Sequence, residues 1–268
     1  MAVSIYYKIS SSTIYIANTA SAAGANNTWS GGPLCSNYNV IIKGSSFKLP
    51  NMPTELFYGA KSIMFDNVNM TWNDVDTSDC VTFQSLFERA SSIGSWLDIS
   101  KWNTSKVTDM RNMFHGCTGL YDVNASGWDT SKVTSFYQTF QGCTGLTYLD
   151  ITNWTATSIN NSLGFRNTFG GCTSLRQIKV ENGTNWAAQA ASPDVDDAWM
   201  FEGDTRLQNY TAGDVGKNRA NTIKNYGYFT GVLVRKKCQP YEKVNDTWVE
   251  ADLKIKDSDN WTNTEVYL

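Results

Sequence analysis

The sequence lacks most of the motifs on which catalytic and metal sites are built. It contains a single histidine, His115, no Cys-x-x-Cys pair, no glycine-rich phosphate loop and no serine-centred elbow. Charged residues make up only 18% of the chain and the formal net charge is -3, so the composition indicates no polyanionic partner. We therefore expect no metal ion, no cofactor and no nucleic-acid partner.

Targeting signals are also missing. No run of about 18 apolar residues occurs, which argues against membrane insertion through an ordinary spanning helix. The first residues lack a basic segment followed by an apolar run and a small-residue cleavage site. If the sequence is a complete natural chain, a surface protein of this kind would have to reach the outside by cell lysis, as a virion protein does. If it is a trimmed chain, that argument does not apply.

Aromatic residues are abundant, at 13% of the chain. With so few charges, the surface must consist largely of serine, threonine, asparagine, glycine and aromatic rings. Such a surface suits neutral hydrogen-bonding partners, either sugars or the face of another protein. The alternative is that the columns of a repeat structure use up most of the aromatic side chains.

A repeat organises the middle of the chain. The stretch from Trp102 to Val123 starts again 26 residues later at Trp128, with its landmark residues in register. Weaker copies extend the pattern in both directions, and it is marked by phenylalanines at Phe57, Phe87, Phe114, Phe140, Phe169 and Phe201. Further columns are formed by Trp102, Trp128 and Trp154, and by Cys117, Cys143 and Cys172. A period of this length predicts a solenoid, a propeller or an array of stacked units.

Each repeat is predicted to contain one helix and one strand. Val107, Met110, Phe114 and Cys117 are spaced 3, 4 and 3 residues apart, which places them on one face of a helix. Thr104 or Ser105 could cap its first turn. The short apolar segments that follow, such as the one after Leu120, suit a buried strand. Stacking would then form a parallel sheet on one side and a layer of helices on the other.

The pattern W-x-T-S-x-V-x-x-M-x-x-M-F-x-x-C-x-x-L resembles the leucine-rich repeat of the BspA-like surface-protein family. The resemblance covers roughly residues 50 to 210. It implies an α/β leucine-rich-repeat solenoid of stacked helix-strand units on bacterial surface proteins, often in adhesion, with related domains on bacteriophage particles. The family is defined by its scaffold, so the resemblance implies no catalytic residues.

Three segments are predicted. Residues 1–48 form a β-rich cap or attachment segment, residues 49–212 form the solenoid of about six repeats, and residues 213–268 form a second cap or a small β subdomain. The cysteines of the repeat column should be free thiols, because column-mates in a parallel stack point the same way. Cys35 and Cys238 have no assigned pairing.

Outward positions on the predicted strands are the first candidate binding site. If Leu149 points inward, its neighbours Tyr148 and Asp150 point outward. The same register gives a stripe from acidic to basic, with Tyr121 and Tyr148 as stacking groups; the stripe comprises Asp98, Tyr121, Asp122, Asn124, Tyr148, Asp150, Gln177 and Lys179. The alternative is a sheet face that is merely solvated.

The second candidate is a loop insertion with the acidic residues Asp194, Asp196 and Asp197 beside Trp199. Carboxylates there could support glycoside hydrolysis, although a plain insertion explains them as well. His115 is expected to be a solvated residue without a catalytic role, because its equivalents are glutamate, glutamine and glycine.

The sequence therefore predicts a non-enzymatic binding or display protein. Our first reading is a bacteriophage virion component, a fibre or decoration protein, that presents the solenoid to a glycan or protein receptor on a bacterial surface. It would contact other virion proteins or copies of itself, in a homotrimer by analogy with fibre proteins. The alternatives are an extracellular adhesin on a bacterial cell surface and a carboxylate-dependent glycan hydrolase.

Overall fold

The computed structural model describes residues 3–24, 27–94, 96–160, 163–181, 184–190 and 199–207, together with short strands between 229 and 263. The chain divides into two compact units, Met1–Gly231 and Val232–Leu268. The three segment boundaries predicted from the sequence stay predictions.

The first unit begins with a mixed sheet. Its strands are β1 (Tyr6–Ser10), β2 (Thr13–Ala17), β3 (Asn27–Thr28), β4 (Asn39–Ile42) and β6 (Ser62–Phe65), in the order β3-β1-β2-β4-β6. β1 and β2 form a hairpin, and β2, β4 and β6 run parallel. The inward residues of β2 and β4 belong to the same hydrophobic core as the repeat phenylalanines. Shorter elements in this part are α1 (Ala20–Ala23), β5 (Phe47–Lys48), a 3-10 turn (Trp72–Asp74) and β7 (Val75–Asp76).

A parallel sheet forms one side of the repeats. It contains β8 (Trp96–Asp98), β9 (Asp122–Asn124), β10 (Tyr148–Asp150), β11 (Gln177–Val180) and β12 (Phe229–Gly231), each beside the next. Leu97, Val123, Leu149 and Ile178 are paired in register and fully buried. The predicted repeat solenoid of stacked parallel strands is therefore confirmed.

The predicted helix in each repeat is wrong. Residues 107–117 form a succession of tight turns, and helices in the described part are limited to short ones such as α1 and α2 (Trp186–Gln189). Asn112 has φ 58° and Gly116 has φ 71°, and a right-handed helix excludes both values. Equivalent residues of the other repeats also have positive φ. The spacing of 3, 4 and 3 between the apolar residues Val107, Met110, Phe114 and Cys117 therefore arises from successive tight turns.

Alternate amides of these turns bond to the neighbouring repeat. The amides of Asn112, Phe114 and Gly116 donate over 3.0, 2.8 and 2.7 Å to the carbonyls of Tyr137, Thr139 and Gln141. The turns thus satisfy their polar backbone by stacking, whereas a helix would satisfy it internally. Thr104 is likewise no helix cap: it is buried, and its Oγ1 donates to the Asp129 carbonyl of the next repeat at 3.0 Å.

Aromatic rings stack along the core. The phenylalanine column runs from Phe57 to Phe201, with neighbouring centroids 5.2 to 6.0 Å apart and rings 8° to 16° from parallel. Trp128 stacks between Trp102 and Trp154 at 5.9 and 5.5 Å. Each indole N–H of these three donates to a carbonyl of the preceding repeat. These columns tie every repeat to the next through both packing and hydrogen bonds.

The cysteine column is buried and reduced. The thiols of Cys117, Cys143 and Cys172 donate to carbonyls of the preceding repeats at 2.9 to 3.0 Å. The cysteines in the described part, which also include Cys35 and Cys80, are free, whereas Cys238 lies outside it. Burial raises the pKa of the Cys80 thiol to about 12. Thiols with so high a pKa are poor nucleophiles, which indicates a packing role.

The second unit contains two antiparallel hairpins. β13 (Glu242–Val244) pairs with β14 (Thr247–Val249), and β15 (Lys254–Asp257) pairs with β16 (Asn260–Asn263).

Candidate functional site

Two outward columns cross the parallel sheet, and we call them together the strand face. Pairing places Trp96, Asp122, Tyr148 and Gln177 in one column, and Asp98, Asn124, Asp150 and Lys179 in the other. Adjacent members lie on strands about 4.8 Å apart. The structure therefore brings together the strand residues that the sequence predicted as a binding stripe. That they bind a ligand stays a prediction.

Two of the four residues in the first column are aromatic, and Tyr121 adds a third ring next to it. Trp96 is 57% exposed and Tyr121, just before β9, is 53% exposed, while Tyr148 is half-buried. Sequence reasoning missed Trp96. It stands two residues before Asp98 and 26 residues before Asp122, so the register that located the other outward residues could have located it too.

The second column has a structural role that the sequence did not reveal. Asp98 Oδ1 accepts from the Ser100 amide at 3.1 Å, and Asn124 Oδ1 accepts from the Ser126 amide at 3.2 Å. Burial raises the pKa of Asp98, but the hydrogen bonds from Ser100 and Asn73 and the charge of Lys101 together outweigh it, so the pKa is lowered. These side chains fix the turn that follows each strand.

Asp150 lies in the outward column as predicted, but its carboxylate, which was expected to be open to a ligand, is covered. Its side chain is only 9% exposed and lies 2.7 Å from Lys179 Nζ. The amide of Thr152 also donates to it at 3.1 Å, and the Tyr148 hydroxyl lies 3.4 Å away. Asp150 and Lys179 therefore satisfy each other, and what remains open on the strand face is the aromatic rings, the amides of Asn124 and Gln177, and the partly buried carboxylates of Asp98 and Asp122.

A groove lies along the tight turns of the repeats and is formed by residues outside the parallel sheet. It has a volume of about 520 Å³ and is open to solvent; we call it the turn groove, and it is lined by His115, Gln141, Gly142, Asn167, Gly170, Gly171, Trp199 and Glu202. The groove is deep at Gly170 because this residue has no side chain. In that column the neighbouring repeats carry His115, Gln141 and Glu202, so the missing side chain leaves a gap between Gln141 and Glu202.

The backbone under the turn groove is fixed by the inter-repeat ladder. Gly142 donates to the Gly170 carbonyl at 2.9 Å and Gly171 donates to the Glu202 carbonyl at 2.6 Å. A Cβ on Gly170 would lie 2.8 Å from the Trp199 carbonyl oxygen, so the close approach of these repeats requires glycine there.

Trp199 is half-exposed and held in place. Its φ of 57° matches those of Asn112 and Asn167 in the same column, and the Arg166 guanidinium lies 4.6 Å from the ring centroid. Trp199 belonged to the predicted loop site, whose other members, Asp194, Asp196 and Asp197, lie outside the described residues. His115, expected to be solvated, is half-buried, with Nδ1 3.4 Å from Glu88 Oε1.

No group of three or more histidine, cysteine, aspartate or glutamate residues in the described part of the chain could hold a metal ion. Within the same part, none of the helices has the length and apolar character needed to cross a membrane.

The repeats match a family model over residues 51–186, half of the chain, and its description is "Mycoplasma protein of unknown function, DUF285". The chain belongs to this family. The matched range covers the phenylalanine columns from Phe57 to Phe169 and the strands β8 to β11. No curated protein and no solved structure is significantly similar to this DUF285 chain.

Proposed function

We propose that the chain is a non-enzymatic binding protein whose strand face recognises a glycan on a bacterial surface. The observation that carries the proposal is the exposure of two rings at neighbouring strands of a rigid parallel sheet, Trp96 on β8 and Tyr121 directly before β9. Rings held on a rigid scaffold lose little conformational entropy on binding, which makes them effective anchors.

The chemistry of the strand face favours a sugar over a charged partner. The Asp150 carboxylate is already paired with Lys179, and the Asp122 carboxylate accepts from the Thr147 hydroxyl at 2.8 Å. Partly buried amides lie in the same two columns, with Gln177 beside Tyr148 and Asn124 beside Asp98. Rings can pack on the apolar face of a pyranose while amides bond to its hydroxyls.

The setting of this activity is part of the proposal. A DUF285 solenoid related to BspA-like proteins would serve either as a bacteriophage fibre or decoration protein or as an adhesin on a bacterial cell. Both settings require a stable scaffold that displays one face to a receptor. Self-association into a homotrimer would multiply weak contacts through avidity.

A double variant tests the strand face. Trp96→Ala with Tyr121→Ala should weaken binding of the full chain to a bacterial glycan array by thirtyfold or more, because each exposed ring can contribute about 2 kcal/mol. Asp150 is left unchanged because its loss would unpair Lys179. The melting temperature should hardly move, since exposed positions usually change stability by less than about 0.5 kcal/mol.

The matched control is Val68→Ala, which trims an exposed apolar side chain outside the strand face. It should leave array binding by the strand face unchanged. Array binding by the double variant that equals that of the parent would refute the proposal. A parent protein that binds no glycan on the array, and that binds intact cells but not protease-treated ones, would instead have a protein receptor. That result would overturn the glycan assignment.

A further inference from the structure

The turn groove has the features of a second binding site, separate from the strand face. It combines an aromatic ring, two side-chain amides and a carboxylate, from Trp199, Gln141, Asn167 and Glu202, around a glycine floor. Its volume of about 520 Å³ falls within the range of small-molecule sites. None of the four side chains contributes to the parallel sheet.

An unsatisfied polar atom points to a ligand there. Gln141 Oε1 is buried without a hydrogen-bond partner among the described residues, whereas the buried Nδ1 of its column neighbour His115 lies 3.4 Å from Glu88 Oε1. Buried polar atoms are normally satisfied, so an unpaired amide oxygen on a groove-lining side chain calls for an explanation. Because Gln141 lines the groove, a change of its side-chain rotamer is the route by which this oxygen reaches a hydroxyl group held there.

The ring beside the groove is pre-positioned. Arg166 lies on Trp199 at 4.6 Å, and the Trp199 carbonyl accepts from the Glu202 amide at 3.1 Å. A ring fixed from both its side chain and its backbone pays little entropy on binding. Trp199 has a φ of 57°, which is strained for a tryptophan. Asn112 and Asn167 occupy the same column in other repeats, and asparagine tolerates this φ better.

We infer that the turn groove binds one neutral pyranose unit. The ring of Trp199 would pack on the sugar, Glu202 would accept hydrogen bonds from hydroxyl groups, and Gln141 and Asn167 would bond to further oxygens. The Glu202 carboxylate disfavours an anionic ligand. A cationic ligand is disfavoured because the Arg166 guanidinium already makes the cation–π contact with the Trp199 ring. The inference does not depend on the strand face.

Saturation-transfer NMR on the full chain tests it. The probes are the methyl glycosides of glucose, galactose, mannose and N-acetylglucosamine, each at about 10 mM, which detects a site with a Kd of about 1 mM. At least one glycoside should give a saturable signal. Trp199→Asn should weaken it at least tenfold, and this variant should fold normally because Asn112 and Asn167 hold the same backbone geometry. Gln141→Ala, at a position with an ordinary backbone, should weaken it as well.

The exposed Thr144→Ala, which belongs to neither site, is the matched control and should retain the glycoside signal. Absence of a saturable signal for all four glycosides would overturn the inference. So would an unchanged signal in both Trp199→Asn and Gln141→Ala, which would assign the glycoside signal to another surface such as the strand face. Failure of array binding alone would concern only the strand face.

Discussion

The middle repeats and the last described repeat share one backbone but differ in their side chains. Both close on a phenylalanine and on residues with positive φ, as in Gly142 of the middle and Gly203 of the end. The last repeat, however, places Trp199 in an asparagine or glutamine column, Glu202 in the groove column and Asp204 in the cysteine column. The backbone ladder therefore tolerates exchange at outward columns, where a binding site can form, whereas an exchange in a buried column carries an energetic cost.

Asp204 shows that cost. It is fully buried, and neither carboxyl oxygen has a hydrogen-bond partner in the described part of the chain. Burial raises the pKa of Asp204 well above its usual range; a weak interaction with the Cys172 backbone opposes the rise and the charge of Glu202 adds to it. Cys172, by contrast, donates its thiol proton to a carbonyl and fits the same column without a penalty.

Removing a ring from the middle should have the largest effect. Phe140 lies between Phe114 and Phe169 and is fully buried, so Phe140→Ala should lower the free energy of unfolding by about 3 to 5 kcal/mol. Urea denaturation would measure the loss, with the exposed Thr144→Ala as the control. Equal stability of the two variants would mean that the ring column does not hold the middle together.

Restoring the column at the end should have the next largest effect. Asp204→Cys should stabilise the chain by about 1 to 3 kcal/mol at neutral pH, the usual cost of a buried unsatisfied polar group. Its raised folded-state pKa means that Asp204 contributes stability fully below pH 3.8 and that this contribution is lost as the pH rises through the folded-state value.

The difference in stability between Asp204→Cys and the parent should therefore grow as the pH rises above 3.8. Thermal denaturation of both proteins across this range measures it. A difference that stays constant with pH would show that Asp204 is ionised in the folded chain, contrary to the comparison of the two regions.

A change in the shared backbone should have the smallest effect. Gly142→Ala should cost about 1 to 2 kcal/mol, the penalty of a left-handed conformation for an L residue. The added Cβ would meet only the Gly116 backbone at 3.8 Å, so the loss would be conformational. Gln138→Gly, at φ 55°, should have the opposite sign in the same denaturation experiment. Destabilisation by both variants would contradict the conclusion that these turn positions require a positive φ.

The sequence alone predicted the repeat, its columns and the strand register. Each of these follows from the recurrence of residues such as Phe114 and Leu149 at a fixed period, because identical units can bury their apolar faces only by stacking. The outward order of Asp98, Asn124 and Asp150 followed from the alternation of side chains along a strand.

Only the tertiary structure decided that the turns are not helices. A spacing of 3, 4 and 3 places side chains on one face of a helix and also on one side of successive turns, so the apolar pattern cannot distinguish the two. The distinction depends on φ at Asn112 and Gly116 and on amides that bond to the next repeat. The pairing of Asp150 with Lys179 and the gap at Gly170 likewise exist only between repeats, because each depends on which side chain the neighbouring repeat supplies.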